Sequence, residues 1–284
     1  MIGIIGGSGL YHIEGIENLK AEKIDTPFGK PSDAFMLGKL KGKDVAFLPR
    51  HGRGHRILPS EINHRANICA FKQLGAERII AVSAVGSLRE DIPPLDIVLP
   101  DQFFDRTKQG PGATFFGGGI VGHISFSQPV CPEMLACLSR AGSASGGKMH
   151  YGGVYVNMEG PAFSTLAESR VYRKLGFDII GMTAMAEAKL SREAEICYAS
   201  LAMVTDYDCW RDGEPVEIEE IISNLQKNSA LAKKIIAAAL QIIPEERQCG
   251  CGEALKHAVI TDRDSIPGDA MKKLRPIIGK YFSE

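Results

Sequence analysis

The fold is decided by the stretch from Ser60 to Ser87, SEINHRANICAFKQLGAERIIAVSAVGS, in which a helix pattern is followed directly by a strand pattern. The helix pattern begins at Ser60, a typical N-cap residue, and ends at Gly75, a typical helix stop. Between them, apolar side chains recur on one face at Ile62, Ala66, Ile68, Ala70, Phe71 and Leu74. The run ERIIAVSAVGS that follows is rich in β-branched residues and ends in Gly and Ser. This order predicts part of an α/β domain.

The same alternation continues along the chain in both directions. Further β-rich runs that end in Gly or polar residues are MIGIIGG, KDVAFLPRHG, LDIVLPDQF, GVYVNMEG, FDIIGMTA and ICYASLAMVTD. The segment from Glu217 to Ile243 has the pattern of a long amphipathic helix ended by Pro244, and the residues from about 245 to 284 are expected to form a tail. Alternating strands and helices predict one α/β domain over residues 1–284, with a largely buried central sheet flanked by helices.

The composition limits the classes of partner. Of 284 residues, 33 are basic and 34 acidic, so the chain has no electrostatic footprint for nucleic acid or an anionic membrane. No window reaches the roughly 20 apolar residues that a membrane span needs. Met1 leads straight into apolar IGII without a basic segment or a small-residue cleavage site. We therefore expect a cytoplasmic protein with no nucleic-acid or membrane partner.

Seven cysteines are scattered through mostly apolar contexts, which is typical of ordinary buried thiols. The pair Cys249-Gly-Cys251 stands apart, and two interpretations stay open: two unrelated thiols in a surface loop, or a redox or stapling role. Two sulfurs alone make a poor zinc site, since zinc usually takes four ligands. The sequence therefore predicts no metal.

Polar residues that suit an anion follow three successive strand patterns, where ligands of α/β folds gather. GGSG, from Gly6 to Gly9, has the composition of a loop that wraps an anion with backbone amides, and Ser8 adds a hydroxyl. The next strand leads into Arg50 and His51, and Arg is well shaped to hold a phosphate by paired hydrogen bonds. The third carries SAVGSL with Ser83. Each is unremarkable alone, but together they predict an oxyanion site.

A second group of candidates follows later strands. Asp206 and Asp208 end the apolar run LAMV, and period-2 alternation would place both carboxylates on one side. Such a pair can ligate a metal, share a proton or bind a base edge, or it can be two solvated loop aspartates. Metal ligation is disfavoured because no further Asp, Glu or His lies at ligand spacing just beside them.

Seven motifs in this order resemble the trimeric purine nucleoside phosphorylase family: GGSGL, DTPFGKPSDA, RHG, SAVGSL, EGPAFS, GMTAMAE and TDYDCW. The resemblance covers the chain from Ile4 to about residue 243. It implies a single α/β domain with a central mixed β-sheet, assembled as a homotrimer or a dimer of trimers. It also implies attack of inorganic phosphate, the co-substrate, on C1′ of a purine nucleoside, without a metal or an organic cofactor.

The resemblance assigns roles to residues of these motifs. Phosphate would be held by Ser8, Arg50, His51, Ser83, the Ala84 backbone and Thr183. Met182 would lie against the ribose and Phe163 would pack on the purine. Asp206 would be the acid that protonates the base near N7, since burial and the neighbouring Asp208 favour a raised pKa.

The same motifs bear on the substrate. Family members that prefer 6-oxopurines typically have Asn at the position of Asp206 and Glu at that of Ser164, so adenine-type nucleosides are expected here. Ile218 and Ile221 could supply an apolar 5′ slot, although their spacing also suits any core-facing helix. His123 resembles a histidine lent to the neighbouring subunit's 5′ pocket.

The expected reaction is phosphorolysis of 5′-methylthioadenosine to adenine and 5-methylthioribose 1-phosphate, a step of purine and methionine salvage. A broader phosphorylase that accepts adenosine, inosine, guanosine or 5′-methylthioinosine stays open, as does a non-catalytic nucleotide-binding module. The CxC pair resembles a motif of members from thermophilic microbes, which implies a Cys249–Cys251 disulfide, although a reducing cytosol would keep both as thiols.

Overall fold

The computed structural model describes residues 1–7, 10, 15–108, 111–211 and 218–282. This part of the chain contains eleven strands in one sheet: β1 (Ile2–Gly6), β2 (Glu17–Glu22), β3 (Phe35–Leu40), β4 (Lys43–Pro49), β5 (Arg78–Ser87), β6 (Ile97–Leu99), β7 (Gln102–Asp105), β8 (Met149–Tyr151), β9 (Val154–Asn157), β10 (Ile179–Gly181) and β11 (Cys197–Asp206). Its α-helices are α1 (His64–Gln73), α2 (Pro132–Ala144), α3 (Leu166–Lys174), α4 (Ala184–Glu193), α5 (Ile218–Ile242) and α6 (Gly268–Ile278). The predicted α/β domain with a mixed sheet is confirmed.

Strand β5 organises the sheet because it has three neighbours. β11 runs parallel to it along nearly its whole length. On its other side β1 pairs in parallel with residues 78–81, and β10 pairs antiparallel with Gly86 and Ser87. Residues 82–85 therefore lie in a gap between β1 and β10. This gap leaves room for a ligand in the middle of a sheet.

The sheet is held by apolar runs that match its central strands. Ile4 and Ile5 of β1, Ile79 and Ile80 of β5, and Leu201 of β11 are completely buried. Helices α4 and α5 both pack against β11. Each fully buried Ile or Leu side chain contributes about 1.5–3 kcal/mol, so these strands form the stable frame on which polar residues can be mounted. None of the helices in the described ranges is both long and apolar enough to cross a bilayer.

The helix predicted from Ser60 begins later than expected. Residues 59–61 form a separate 3₁₀ turn, and α1 begins at His64 with Asn63 as its N-cap. The Asn63 side chain accepts a hydrogen bond from the backbone N–H of Ala66 and donates one to the Phe28 carbonyl at 2.8 Å. The predicted Ser60 cap is therefore wrong, because a tertiary contact favours Asn63. The stop at Gly75 is confirmed, with φ of +76°.

The C-terminal tail packs onto the domain. Leu255, Leu274 and Ile277 are buried in the main core, and the Ile260 N–H donates to the Val121 carbonyl at 3.0 Å. The pair Cys249-Gly-Cys251 is not a surface loop, because it lies on a 3₁₀ turn with Cys251 buried, and both sulfurs are free thiols. The disulfide implied by the resemblance is absent from this structure.

Candidate active site

Four elements converge on one cleft with a volume of about 290 Å³. Arg50 follows β4, Ser83 lies in the β5 gap, Thr183 follows β10 and Asp206 ends β11. Ten of the predicted site residues line this cleft: Arg50, His51, Ser83, Ala84, Phe163, Met182, Thr183, Asp206, Asp208 and Ile221. The sequence pattern predicts Ser83 and Ala84 at the end of a strand. In the structure both residues lie within β5. The gap between β1 and β10 exposes them to the cleft instead.

Of the other four predicted residues, three lie outside this lining and one is not among the described residues. Ser8 lies outside the described residues. Ser164 lies outside the cleft lining, and its backbone carbonyl accepts a hydrogen bond from the Cys209 thiol. Ile218 is 62% exposed and does not line the cleft. His123 belongs to the segment that pairs with the tail, where its N–H donates to the Ala258 carbonyl at 2.8 Å.

Arg50 is held rigidly in the lining of the cleft. Its side chain is 1% exposed, and its guanidinium forms a two-pronged ion pair with Glu187, in which Nη2 donates to Oε2 at 3.0 Å and Nε donates to Oε1. Nη1 donates to the Val82 carbonyl at 3.0 Å. Of the five guanidinium N–H groups, these bonds leave two without a partner among the described residues. Arg50 can therefore offer a fixed charge and two donors to an anion.

Two hydroxyls line the cleft together with Arg50. Ser83 Oγ is buried without a well-formed hydrogen bond to any described residue. Thr183 is the N-cap residue of α4, yet its side chain makes no capping bond. Its position places the N-terminus of α4, with its partial positive charge, at the cleft, although the Met185 N–H already donates to Asn157 Oδ1 at 3.0 Å. Buried donors of this kind indicate an oxyanion site.

His51 is neutral at physiological pH in this environment. Burial and the neighbouring Arg50 charge lower its pKa to about 4. Its Nδ1 lies 2.8 Å from the Ile57 carbonyl, which can only accept, so Nδ1 carries the proton and donates. Nε2 is then an acceptor. The ring stacks on His55 with centroids 4.4 Å apart, which fixes its orientation.

Asp206 and Asp208 lie farther along β5 than Arg50, since Arg50 contacts the Val82 carbonyl whereas Asp206 pairs with Gly86, and both carboxyls have raised pKa values. For both carboxyls burial is the main cause. Asp206 Oδ1 accepts the Asp208 N–H at 2.8 Å, and its Oδ2 lies 2.7 Å from the Thr205 hydroxyl. The Ser169 and Ser164 side chains hydrogen-bond to the Asp208 carboxyl and partly offset the effect of burial on its pKa. The pair therefore places two buried carboxyls of raised pKa side by side in the cleft.

The two carboxylates share the cleft for a different reason from the one predicted. Strand β11 ends at Asp206 after a register shift beyond Val204, so strand alternation does not reach Asp208. Asp208 instead sits in a turn with φ of +54°, a conformation more common for Asp than for bulkier residues. Gly86 makes room for the arrangement, because a Cβ there would lie 2.9 Å from Asp206 Oδ1.

Two residues that support the site from behind Arg50 were not predicted. Glu187 is 1% exposed, holds Arg50 and accepts a hydrogen bond from the Tyr198 hydroxyl at 3.1 Å. His64 Nδ1 lies 4.0 Å from the same carboxylate. The signal for Glu187 was its place at the end of the motif GMTAMAE, since a carboxylate in an otherwise apolar helix start requires a cationic partner. Nothing local in the sequence pointed to His64.

Comparisons with known proteins give a consistent result. The family model described as the phosphorylase superfamily matches residues 1–241. The protein named S-methyl-5′-thioadenosine phosphorylase from Koribacter versatilis is 55% identical, over 100% of this chain and 97% of its own length. The protein of the same name from Geobacter sulfurreducens is 53% identical, over 99% of each chain. A crystal structure of methylthioadenosine phosphorylase from an antarctic soil metagenomic library is 48% identical with a TM-score of 0.92, covering 97% of this chain and 98% of that one. The methylthioadenosine phosphorylase of Schistosoma mansoni in complex with adenine is 36% identical with a TM-score of 0.84, covering 90% and 95%.

Proposed function

We propose that this chain, which belongs to the phosphorylase superfamily, catalyses the phosphorolysis of 5′-methylthioadenosine. Inorganic phosphate displaces adenine from C1′, and the products are adenine and 5-methylthioribose 1-phosphate. The observation that carries the proposal is the single cleft with anion donors at one end and two carboxyls of raised pKa at the other. This reaction serves purine and methionine salvage.

The phosphate is held without covalent catalysis. Arg50 supplies a fixed charge, and the Ser83 and Thr183 hydroxyls and the N-terminus of α4 supply donors. The neutral His51 contributes an acceptor at Nε2, which suits a phosphate oxygen that still carries its proton. A phosphate held in this way is aligned for attack on C1′ without the entropy cost of a free encounter.

The leaving base is protonated at the other end of the cleft. As the C1′–N9 bond breaks, its electron pair moves onto the purine and positive charge develops on the ribose. The raised pKa of Asp206 lets its carboxyl hold a proton that it donates near N7. The phosphate dianion below the ribose stabilises the oxocarbenium-like transition state. Met182, which also lines the cleft, packs against the sugar.

The Asp206 and Asp208 pair accounts for the choice of base. A carboxylate oxygen of this pair, which lines the cleft, can accept a hydrogen bond from the 6-amino group of adenine. The same oxygen would face the O6 carbonyl of hypoxanthine as one acceptor against another, which leaves a buried group unpaired. Phe163 lines the cleft and stacks on the purine, with 57% of its surface exposed in the isolated chain.

Replacing Asp206 by asparagine is expected to shift the base preference. An amide donates to N7 or O6 without titrating, so the ratio of kcat/KM for 5′-methylthioadenosine to that for 5′-methylthioinosine should fall about 10- to 100-fold. Asp96→Asn is the matched control, because Asp96 is also buried but lies outside the cleft lining. An unchanged ratio in Asp206→Asn would show that this carboxyl does not set base choice.

The pocket for the 5′ end of the nucleoside is completed by a second copy of the chain. The active form is a homotrimer or a dimer of trimers. Ile221 lines the cleft, whereas His123 lies outside it. Large apolar side chains are exposed on the isolated chain, among them Val121, Phe163, Leu166, Val171 and Leu175. Light scattering of the purified protein tests the assembly, and a stable, fully active monomer would contradict it.

The proposed function is tested by initial rates of base release from 5′-methylthioadenosine, adenosine and inosine, each with and without phosphate. We expect adenine release from 5′-methylthioadenosine that depends on phosphate and exceeds the rates for the other two nucleosides. Inosine as the best substrate would mean that the carboxyl pair had been misinterpreted. Absence of release from all three would favour a nucleotide-binding role.

A further inference from the structure

Four cysteines from three separate parts of the chain meet in one cluster. Cys131 precedes α2, Cys197 begins β11, and Cys249 and Cys251 lie on the 3₁₀ turn of the tail. Their four sulfur atoms all lie within 4.8 Å of one another, and the sulfurs of Cys197 and Cys249 are 3.3 Å apart. All four are free thiols. The other cysteines of the chain lie outside this cysteine cluster.

The spacing suits a metal better than it suits disulfides. A zinc ion with four thiolates at about 2.3 Å requires sulfurs about 3.8 Å apart at the corners of a tetrahedron. A disulfide requires two sulfurs at about 2.05 Å, so at least one pair would have to approach by more than an ångström. The cluster brings all four sulfurs together and does not isolate two bonded pairs. A single ion at its centre would use every sulfur with only small shifts.

The surroundings are those of a closed structural site. Cys131, Cys197 and Cys251 are at most 4% exposed, while Cys249 is half-buried and leaves a path for entry. Four thiolates around a divalent ion leave net negative charge, which needs compensation in an apolar core. Arg192 supplies it, with Nη1 3.9 Å from Cys251 Sγ. Cys131 is the N-cap of α2, where the helix presents its positive end.

We propose that Cys131, Cys197, Cys249 and Cys251 bind one zinc ion as a tetrathiolate site. Binding forms four Zn–S bonds and releases the four thiol protons to solvent, without a change of oxidation state. The site has no open coordination position, so its role is structural. Cys197 and Asp206 are opposite ends of β11, a separation of about 30 Å at ~3.3 Å per residue. The ion therefore anchors the tail and takes no part in the reaction.

The first test is the zinc content of the purified, reduced protein after loading with ZnCl₂ and desalting. We expect one zinc per chain in the wild type and in Cys137→Ala, a control whose thiol is buried but outside the cluster. Cys249→Ser and Cys251→Ser should each lose most of this zinc and melt several degrees lower. Both should keep phosphate-dependent base release, which also reports that they fold.

A second measurement does not depend on any variant. CoCl₂ added to the zinc-free wild-type protein should give the thiolate-to-cobalt charge-transfer and visible bands of tetrahedral sulfur coordination, and ZnCl₂ should abolish them. Wild-type protein that retains no zinc and shows no such bands would overturn the proposal. So would an intact mass showing that these cysteines form disulfides in the protein as isolated, or equal zinc content in Cys251→Ser and the wild type.

Discussion

Asp206→Ala is expected to lower kcat for phosphorolysis of 5′-methylthioadenosine about 10²- to 10⁴-fold, the contribution typical of one positioned general acid. The reason is that the purine would leave as an anion without a proton donor near N7. KM for phosphate should stay close to that of the wild type, since the phosphate donors on β4, β5 and α4 are untouched. Steady-state kinetics with each substrate varied in turn separates these two effects.

The pH dependence distinguishes an acid from a merely structural carboxyl. Burial raises the pKa of Asp206, so its protonated, active form is lost as pH rises through that pKa. The wild-type kcat should therefore fall on the alkaline side, and this fall should be weaker in Asp206→Asn, whose amide does not titrate. Comparing the wild type with Asp206→Asn at the same phosphate concentration cancels the effect of phosphate ionisation on the two pH profiles. Near-normal turnover of Asp206→Ala would contradict the acid role.

Glu187→Ala is expected to cost about 3–5 kcal/mol in the free energy of unfolding, because it leaves the buried Arg50 charge without its partner. Glu187→Gln keeps the shape of the side chain but removes the charge, so Arg50 is no longer fixed against the cleft. KM for phosphate should then rise about tenfold to a hundredfold, the size of effect that misplacement of a binding group produces. KM for the nucleoside should change much less.

Glu193→Gln is the matched control for this positioning role. Glu193 lies on the same helix, is 7% exposed and accepts hydrogen bonds from Thr114 and the backbone of Phe115, away from the cleft. Glu193→Gln should lower the free energy of unfolding without changing KM for phosphate. Equal KM values for phosphate in Glu187→Gln, Glu193→Gln and the wild type would show that Glu187 acts on stability alone.

The elements predicted from local patterns were those whose cause is local. Each apolar run that had been assigned to a strand contains one, and the long helix predicted to end before Pro244 is α5. The run LDIVLPDQF contains two strands, β6 and β7, because the extended segment is interrupted between Leu99 and Gln102. The exposed strand β2 was missed because ENLKAE has neither alternation nor a buried run.

Other features depended on contacts between distant parts of the chain. Arg50 and Glu187 are 137 residues apart in sequence, so their ion pair is invisible to any local pattern. In the sequence, Cys249 and Cys251 offer only two of the four ligands that zinc usually takes. Only the fold shows the two further sulfurs beside them. The cap of α1 moved from Ser60 to Asn63 because Asn63 also reaches the Phe28 carbonyl.

The candidate site shows the same division. Nine of the ten predicted residues that line the cleft belong to short motifs whose chemistry could be interpreted one residue at a time. What could not be predicted was how they are held: the gap in the sheet at residues 82–85, the turn that carries Asp208 and the space left by Gly86. These features arise from strand pairing, which a single sequence does not specify.

The central claim is that phosphate attacks C1′ in this cleft, and it is tested most directly by the number of phosphate ions consumed for each adenine released from 5′-methylthioadenosine. Both quantities can be measured in one reaction mixture of the purified protein with limiting phosphate. The account predicts one phosphate consumed per adenine and the appearance of 5-methylthioribose 1-phosphate in equal amount. Adenine release with no phosphate consumed would mean hydrolysis and would contradict it.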